Sequence, residues 1–484
     1  MLKRSGGTVP KRWCLGLLIV GLCVTRSAGA ADLSLLSKFV PPDGKIVDGF
    51  GWAGSDMNLY TTNFPAIPPY SAEMIGSFVG YENRGVTPFE NFVSAYPGKA
   101  LKIDIHFDDR EEEIPLGLHD DILIAFANFF NSHSDVPFYL RLGGEVNGAW
   151  NDYGAGPEYI AAARYIVDFY DNMGVTNVAF IWNLHIHGVG ANLYNWLNWY
   201  PGDQYVHYWS HEVLGDYGMD NDSAPAVIAQ RAFCLDAVSR GLPVCLPECM
   251  AWHFGVDDGQ ADWDAWFAGF FEHVNNPAYG IKAYWHLPLD WSSINGGWTG
   301  TDHEKSTRVH ENATVAANWL AEVSKSQYLH EGDGFSVIGF PCETTPPANV
   351  INLTLTSDEG QITLSWINPG DADLKGIKII RRTAGRPTGP RLNPSNTGSW
   401  PADSIQLANL NRDVTSFVDT DIVDGQDYYY AVYAYDPVRN YASGKHVDTV
   451  ELFLVGPATG TIALVITGLS IVALFAKRKM TTGK

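Results

Sequence analysis

Between residues 46 and 288, short apolar runs alternate with longer stretches in which apolar residues recur at helical spacing. Eight of the short runs are rich in β-branched and aromatic residues: "IVDGFGW", "MIGSFVGYE", "ALKIDIHFD", "PFYLRLGGEV", "NVAFIWNLH", "YVHYWSHE", "PVCLPECM" and "GIKAYWHLP". The clearest helical segments between them are "DDILIAFANFFNS", "PEYIAAARYIVDFYDNM", "AVIAQRAFCLDAVSR" and "DWDAWFAGFFEHV". Eight strands alternating with helices over roughly 250 residues predict an α/β chain with a (β/α)8 TIM barrel. A doubly wound open sheet is the second reading. It calls for a Gly-rich phosphate turn leading into a helix after the first strand, and "GFGWAG" is followed by no clear helix.

From about Pro346 the texture changes to alternating strands with Gly, Asp, Asn and Pro turns and no helical period. Such a pattern over about a hundred residues predicts an all-β, immunoglobulin-like sandwich. Trp366 in an early strand and the late run "DGQDYYYAVYAYD" resemble a fibronectin type III domain. The expected organisation is a barrel over 31–335, a linker over 336–346 and this sandwich over 347–455. Modules of that type in exported enzymes are mostly spacers, so the sandwich is assigned no chemistry.

Both ends read as membrane-directed. Lys3, Arg4, Lys11 and Arg12 precede the apolar run "WCLGLLIVGLCV" and the small-residue site Ala28-Gly29-Ala30, which predicts a signal peptide over 1–30. The run "GTIALVITGLSIVALFA" before Lys477, Arg478 and Lys479 predicts a transmembrane or sorting helix within 457–484. The expected location is the cell surface or envelope. Without these ends the body holds 23 basic against 54 acidic groups, a net of −31. So negative a surface excludes nucleic acid and anionic polymers as natural partners and suits a neutral one. Aromatic residues at 13%, with 16 tryptophans, suit stacking against flat apolar faces such as sugar rings. Four cysteines remain in the body, too few for a disulfide framework, with Cys234 and Cys245 the expected pair.

In a barrel the C-terminal ends of the strands carry the chemistry. Glu145 ends the fourth run and Glu248 the seventh. Two carboxylates over one mouth are what glycoside cleavage needs, one to protonate the leaving oxygen and one to attack or to activate water. Arg141 lies four residues before Glu145 on the same strand and is expected on the same face, where it favours an ionised carboxylate or serves a structural ion pair.

The segment "RLGGEVNGAW", with Arg141, Glu145, Asn147-Gly148 and Trp150, resembles the acid/base segment of glycoside hydrolase family 26, the family of many β-mannanases. The helix that follows, the stretch "WYPGDQYVHYW" and "PVCLPECMAW" resemble later segments of that family in the right order, over about 46–325. The resemblance implies a retaining hydrolase of a polysaccharide (β-mannan-like, or xylan or β-glucan) that needs no cofactor, with Glu145 as general acid/base and Glu248 as nucleophile. It further implies that Trp285 lies under the sugar at the cleavage point. Trp182, Trp252 and Trp291 are weaker platform candidates, and Asn183, His185 and His211 are expected to bind sugar hydroxyls. Two positions depart from the family pattern: Gly144 stands where the family keeps a histidine, and Leu214 near the register of a tyrosine that holds the nucleophile. His211 or Glu212 is the expected substitute. A catalytically inactive carbohydrate-binding protein is the alternative from another class. A metal reading of His185, His187, His207, His211 and Glu212 repeats no known zinc spacing, so no metal is expected.

Overall fold

A computed structural model describes residues 32–450, apart from 152, 187–194, 216–218, 220, 292–304, 359 and 393–401. Eight strands form the barrel: β1 (Ile46–Phe50), β2 (Ser71–Ser77), β3 (Ala100–His106), β4 (Phe138–Leu142), β5 (Val178–Leu184), β6 (Tyr208–His211), β7 (Val244–Met250) and β8 (Ile281–His286). Each is parallel to its neighbours in chain order, and β8 pairs with both β7 and β1, so the sheet closes. Seven of the eight apolar runs contain one of these strands whole, and the second holds only the end of β2. The second divides: β2 starts at Ser71, and Ser77 caps a helix by accepting the Gly80 N–H at 2.9 Å, turning the rest of that run helical.

The helices are α1 (Ser55–Asn63), α2 (Phe78–Arg84), α3 (Thr87–Ala95), α4 (Asp120–Ser132), α5 (Gly156–Asn172), α6 (Pro225–Ser239), α7 (Ala268–Asn275, continuing a π turn Trp263–Phe267) and α8 (Ala313–Val323). α4 shows why they lie on the sheet. Ile122, Leu123, Phe126, Ala127, Phe129 and Phe130 fall on one face and are buried, and each large side chain so buried contributes about 1.5–3 kcal/mol.

The N-terminal end of the barrel is closed by a second apolar cluster. Val47, Ala100, Tyr139, Ala179, Tyr208 and Ala283 meet Phe39, Val40, Ile338 and Phe340 there. The hydroxyls of Tyr139 and Tyr208 both donate to the Phe39 carbonyl, at 2.7 and 2.8 Å. Ile338 and Phe340, inside the stretch expected to be a linker, are therefore part of the barrel floor.

Beyond it, seven strands form two antiparallel sheets: β9 (Ile351–Asp358), β10 (Gln361–Ile367), β11 (Gly376–Arg382), β12 (Ile405–Asn411), β13 (Ser416–Asp419), β14 (Tyr429–Tyr435) and β15 (Lys445–Asp448). The sheet orders are β9-β10-β13 and β12-β11-β14-β15, with Trp366, Leu364, Ile377, Ile379, Tyr430 and Val432 packed between them. The Tyr428 hydroxyl accepts the Val423 N–H at 2.8 Å.

This sandwich is no loose spacer, because buried polar groups tie it to the barrel. Lys378 pairs with Asp171 of α5 at 2.9 Å, and Arg391 with the same carboxylate at 3.3 Å. Gln406 and Asn409 donate to Asp168 at 2.6 and 2.7 Å. Lys375 reaches the carbonyls of Leu36 and Val206 at 2.7 and 2.8 Å.

The expected Cys234–Cys245 disulfide is absent: both thiols are free, one on α6 packed against the outside of the sheet, the other on β7 within the floor cluster. The segments read as signal peptide (1–30) and membrane tail (457–484) lie outside the described residues. Among the described residues no helix is long and apolar enough to cross a membrane.

Candidate active site

Alternation along the strands turns every second side chain inward, and above the floor these side chains are charged. Lys102 and Asp104 of β3 pair with each other at 2.7 Å, and Lys102 also pairs with Glu73 of β2. Arg141 of β4 is the centre of the layer. Its guanidinium donates to Asp104 at 2.7 Å, to Glu212 at 2.9 Å, to Asn183 at 2.6 Å and to Glu248. Burial by itself opposes the charge of Arg141, but Asp104, Glu248 and Glu212 hold it firmly protonated. Of the two readings of Arg141, the ion pairing is thus real, and one of its partners is a candidate catalytic group.

Glu145 joins the same network through its backbone. Its N–H donates to Asn183 Oδ1 at 2.6 Å, the atom that also takes a hydrogen bond from Arg141. Glu145 has φ 46°, a left-handed conformation that costs a side-chain-bearing residue about 1 kcal/mol or more, and Gly143 before it has φ 73°. The carboxylate receives the Trp150 indole N–H at 2.6 Å and lies 3.0 Å from His185 Nδ1. Asn147 fixes His185 by bonding both its N–H (2.8 Å) and its carbonyl (2.9 Å). Arg141, Glu145, Asn147, Trp150, Asn183, His185 and Glu248 are therefore brought together. Glu145 and Glu248 each keep 19% of the side chain exposed, whereas Arg141 and Glu212 keep 1%.

The environment divides the acids. Burial raises the Glu212 carboxyl well above the usual range, with Glu145 adding to it. Burial acts in the same sense on Glu145, but His185, Arg141 and the Trp150 indole outweigh it and hold that carboxyl below the usual range. Asp104 is likewise held low by Lys102 and Arg141 against burial.

Two expected site residues are elsewhere. Trp285 is fully buried in the lumen beneath the charged layer; its indole donates to Ser71 at 3.0 Å, and Lys102 Nζ lies 5.4 Å from its ring. It offers no face to a ligand at the mouth. His211 is also fully buried, and it faces Phe233 and Cys234 of α6 and His273 of α7. Its neighbour Glu212 is the residue that enters the lumen. Trp182 packs behind the sheet against Tyr200, Trp209 and Phe233.

Two side chains, His106 and Trp52, escaped the sequence reading, and Glu212 was given too small a part. His106 follows Lys102 and Asp104 at a spacing of two, a pattern visible in "LKIDIHF". A Cβ on Gly144 would come within 2.8 Å of His106 Cε1 and 2.9 Å of Arg141 NH2, so the missing histidine's space is already filled from the next strand. Glu212, named only as a substitute, is a direct partner of Arg141. Trp52, 38% exposed, begins a row of indoles in which Trp52 and Trp291 are 5.6 Å apart and Trp291 and Trp252 5.9 Å. With Trp150, 59% exposed, it is the open aromatic surface of the mouth among the described residues. Leu214 packs on Trp252, Leu287 and Trp291.

Of the five residues in the metal reading, His187 lies outside the described residues and His207 is buried at the sandwich contact, 3.0 Å from the Pro437 carbonyl. Glu145, His185 and Glu212 do bring donor atoms within 4.8 Å of one another, but Trp150 and Arg141 already engage the two carboxylates.

No family model matches the chain. A β-1,3-xylanase from an Alcaligenes species is 21% identical over 367 residues, which are 67% of this chain and 72% of that protein. Endoglucanase H from Acetivibrio thermocellus is 40% identical over 80 residues, 15% of this chain and only 9% of that longer protein. Among solved structures, a modular endo-β-1,4-mannanase from Cellulomonas fimi, described in terms of the product specificity of glycoside hydrolase family 26, aligns with a TM-score of 0.48 and 15% identity, covering 87% of this chain and 96% of that one.

Proposed function

We propose that the chain is a retaining glycoside hydrolase of glycoside hydrolase family 26 type, acting on a neutral β-linked polysaccharide. The observation that carries this reading is a pair of part-exposed carboxyls, Glu145 and Glu248, joined through Arg141 and Asn183 at the C-terminal end of a closed barrel. Glu248, steadied by Arg141, is the nucleophile: it attacks the anomeric carbon as Glu145 gives its proton to the departing oxygen. Water deprotonated by Glu145 then cleaves the glycosyl ester. A leaving group that displaces the Trp150 indole or His185 from Glu145 removes part of what opposes burial, which moves the carboxyl upward, towards a proton donor. Trp150 and Trp52 supply the aromatic surface for sugar. The resemblance to β-xylanases and β-mannanases supports a β-linked xylan, mannan or glucan, with β-1,3-xylan first in the panel. The fibronectin-type reading of the sandwich and the surface location belong to the same proposal.

One observation favours the alternative of a non-catalytic sugar-binding protein: in the resting site Glu145, the proposed acid, is held ionised by His185, Arg141 and Trp150. The two readings separate when the whole chain is incubated with β-1,3-xylan, β-1,4-xylan, β-mannan and β-glucan and reducing ends are counted. Glu145→Ala and Glu248→Ala are each expected to lower the rate by about 10²–10⁴-fold or more, and the product should keep the β configuration by NMR. Activity surviving both substitutions sinks the site. Binding of a polysaccharide with no hydrolysis establishes the alternative.

A further inference from the structure

We propose that His211, Cys234 and His273 form a zinc site between the barrel sheet and its helices, apart from the mouth. His211 ends β6, Cys234 lies in α6 and His273 in the last turn of α7. All three are buried, and one donor atom from each lies within 4.8 Å of the other two.

Three features argue for a metal. Cys234 Sγ and His211 Nε2 are 3.5 Å apart. A tetrahedral zinc with bonds of about 2.3 Å to sulfur and about 2.0–2.1 Å to nitrogen sets two such donors roughly 3.5 Å apart, so this edge of the site is already formed. Next, His211 Nδ1 lies 3.0 Å from the Glu212 carbonyl. Only a protonated Nδ1 makes that bond, which leaves the Nε2 lone pair directed at Cys234, the arrangement by which a second hydrogen bond fixes a metal-binding imidazole. Last, neither ring nitrogen of buried His273 has a hydrogen-bond partner among the described residues. A buried polar group left unanswered destabilises the fold, and a metal bond answers it. A thiol-to-imidazole hydrogen bond accounts for the sulfur contact but not for His273.

Two imidazoles and a thiolate suit zinc, a borderline-soft ion. Binding replaces the Cys234 thiol proton, which leaves to solvent, with a bond from the thiolate to the ion. Three protein ligands leave the fourth tetrahedral position to water, and an ion held there would pin the outer face of β6 to α6 and α7. The residue next along β6 is Glu212, the Arg141 partner.

The test uses the whole purified chain, dialysed with zinc and desalted. The expected result is one zinc retained per chain, one proton released per zinc bound, and a near-ultraviolet thiolate-to-cobalt band when cobalt(II) replaces zinc. Cys234→Ser should abolish the band, Cys342→Ser should keep it, and His273→Gln should weaken zinc binding at least roughly tenfold. A folded wild-type chain that retains no zinc and shows no cobalt band overturns the proposal, whatever the variants do. So does a band that persists in Cys234→Ser.

Discussion

The barrel has two dense clusters of buried charge, one at its mouth and one where α5 meets the sandwich, and they are composed differently. At the mouth, Lys102 and Arg141 face five carboxyls: Glu73, Asp104, Glu145, Glu212 and Glu248. At the sandwich, Lys378 and Arg391 close on Asp171, with the Tyr441 hydroxyl as a third donor, and Asp168 beside it takes hydrogen bonds from Gln406 and Asn409. The second cluster answers its charge and keeps Asp171 2% exposed. The first leaves acid in surplus. Some of it is forced towards the protonated form, as burial does to Glu73 and Glu212, and some of it, in Glu145 and Glu248, faces solvent. Carboxyls of unequal proton affinity stand side by side in both, since burial also raises Asp168 next to the lowered Asp171; what sets the mouth apart is that two of its acids are open to solvent.

The contrast can be broken experimentally. Lys378→Met strips Asp171 of its nearest cation and should destabilise the chain by about 3–5 kcal/mol in denaturant titration, with the activity per folded molecule unchanged. An equal loss of activity would mean that the docking cluster belongs to the site. A smaller effect should come from Lys375, which burial lowers to about 7. Between that value and the ordinary lysine range near 10.4, the unfolded chain binds the extra proton, so stability rises with pH through this window by at most about 1.4 kcal/mol per unit. Lys375→Met should flatten the rise in melting temperature between pH 7 and 10; an unchanged slope would place its origin elsewhere. Least in size is His185→Ala. His185 holds Glu145 low, so its removal should raise the Glu145 pKa and move the alkaline limb of kcat/KM to higher pH. A limb moving to lower pH would contradict the roles given to the pair.

The barrel was legible because period-two apolar runs and 3.6-period segments alternate without interruption, and α4 begins and ends where its pattern does. Arg141, Glu145, Asn183, His185 and Glu248 were legible because strand ends converge in such a fold. What failed was orientation. His211 and Glu212 are adjacent, and in a strand adjacent residues face opposite sides; nothing local states which side holds the lumen. Trp285 failed differently: it does face inward, but its depth depends on the floor beneath and on Gly49, where a Cβ would come within 2.5 Å of its ring. The disulfide failed because proximity in sequence says little about two cysteines on opposite sides of a sheet.

The seam between barrel and sandwich also bears on how the gene can be rearranged. A cut near residue 345 respects the change in sequence texture, yet it would bare Asp168 and Asp171 on α5 and leave the Val206 and Leu36 carbonyls without Lys375. α5 is the helix that the chain enters directly after the Glu145 loop. Recombination at that point would thus pass on a barrel with its brace removed, and the pair is expected to be inherited as one piece.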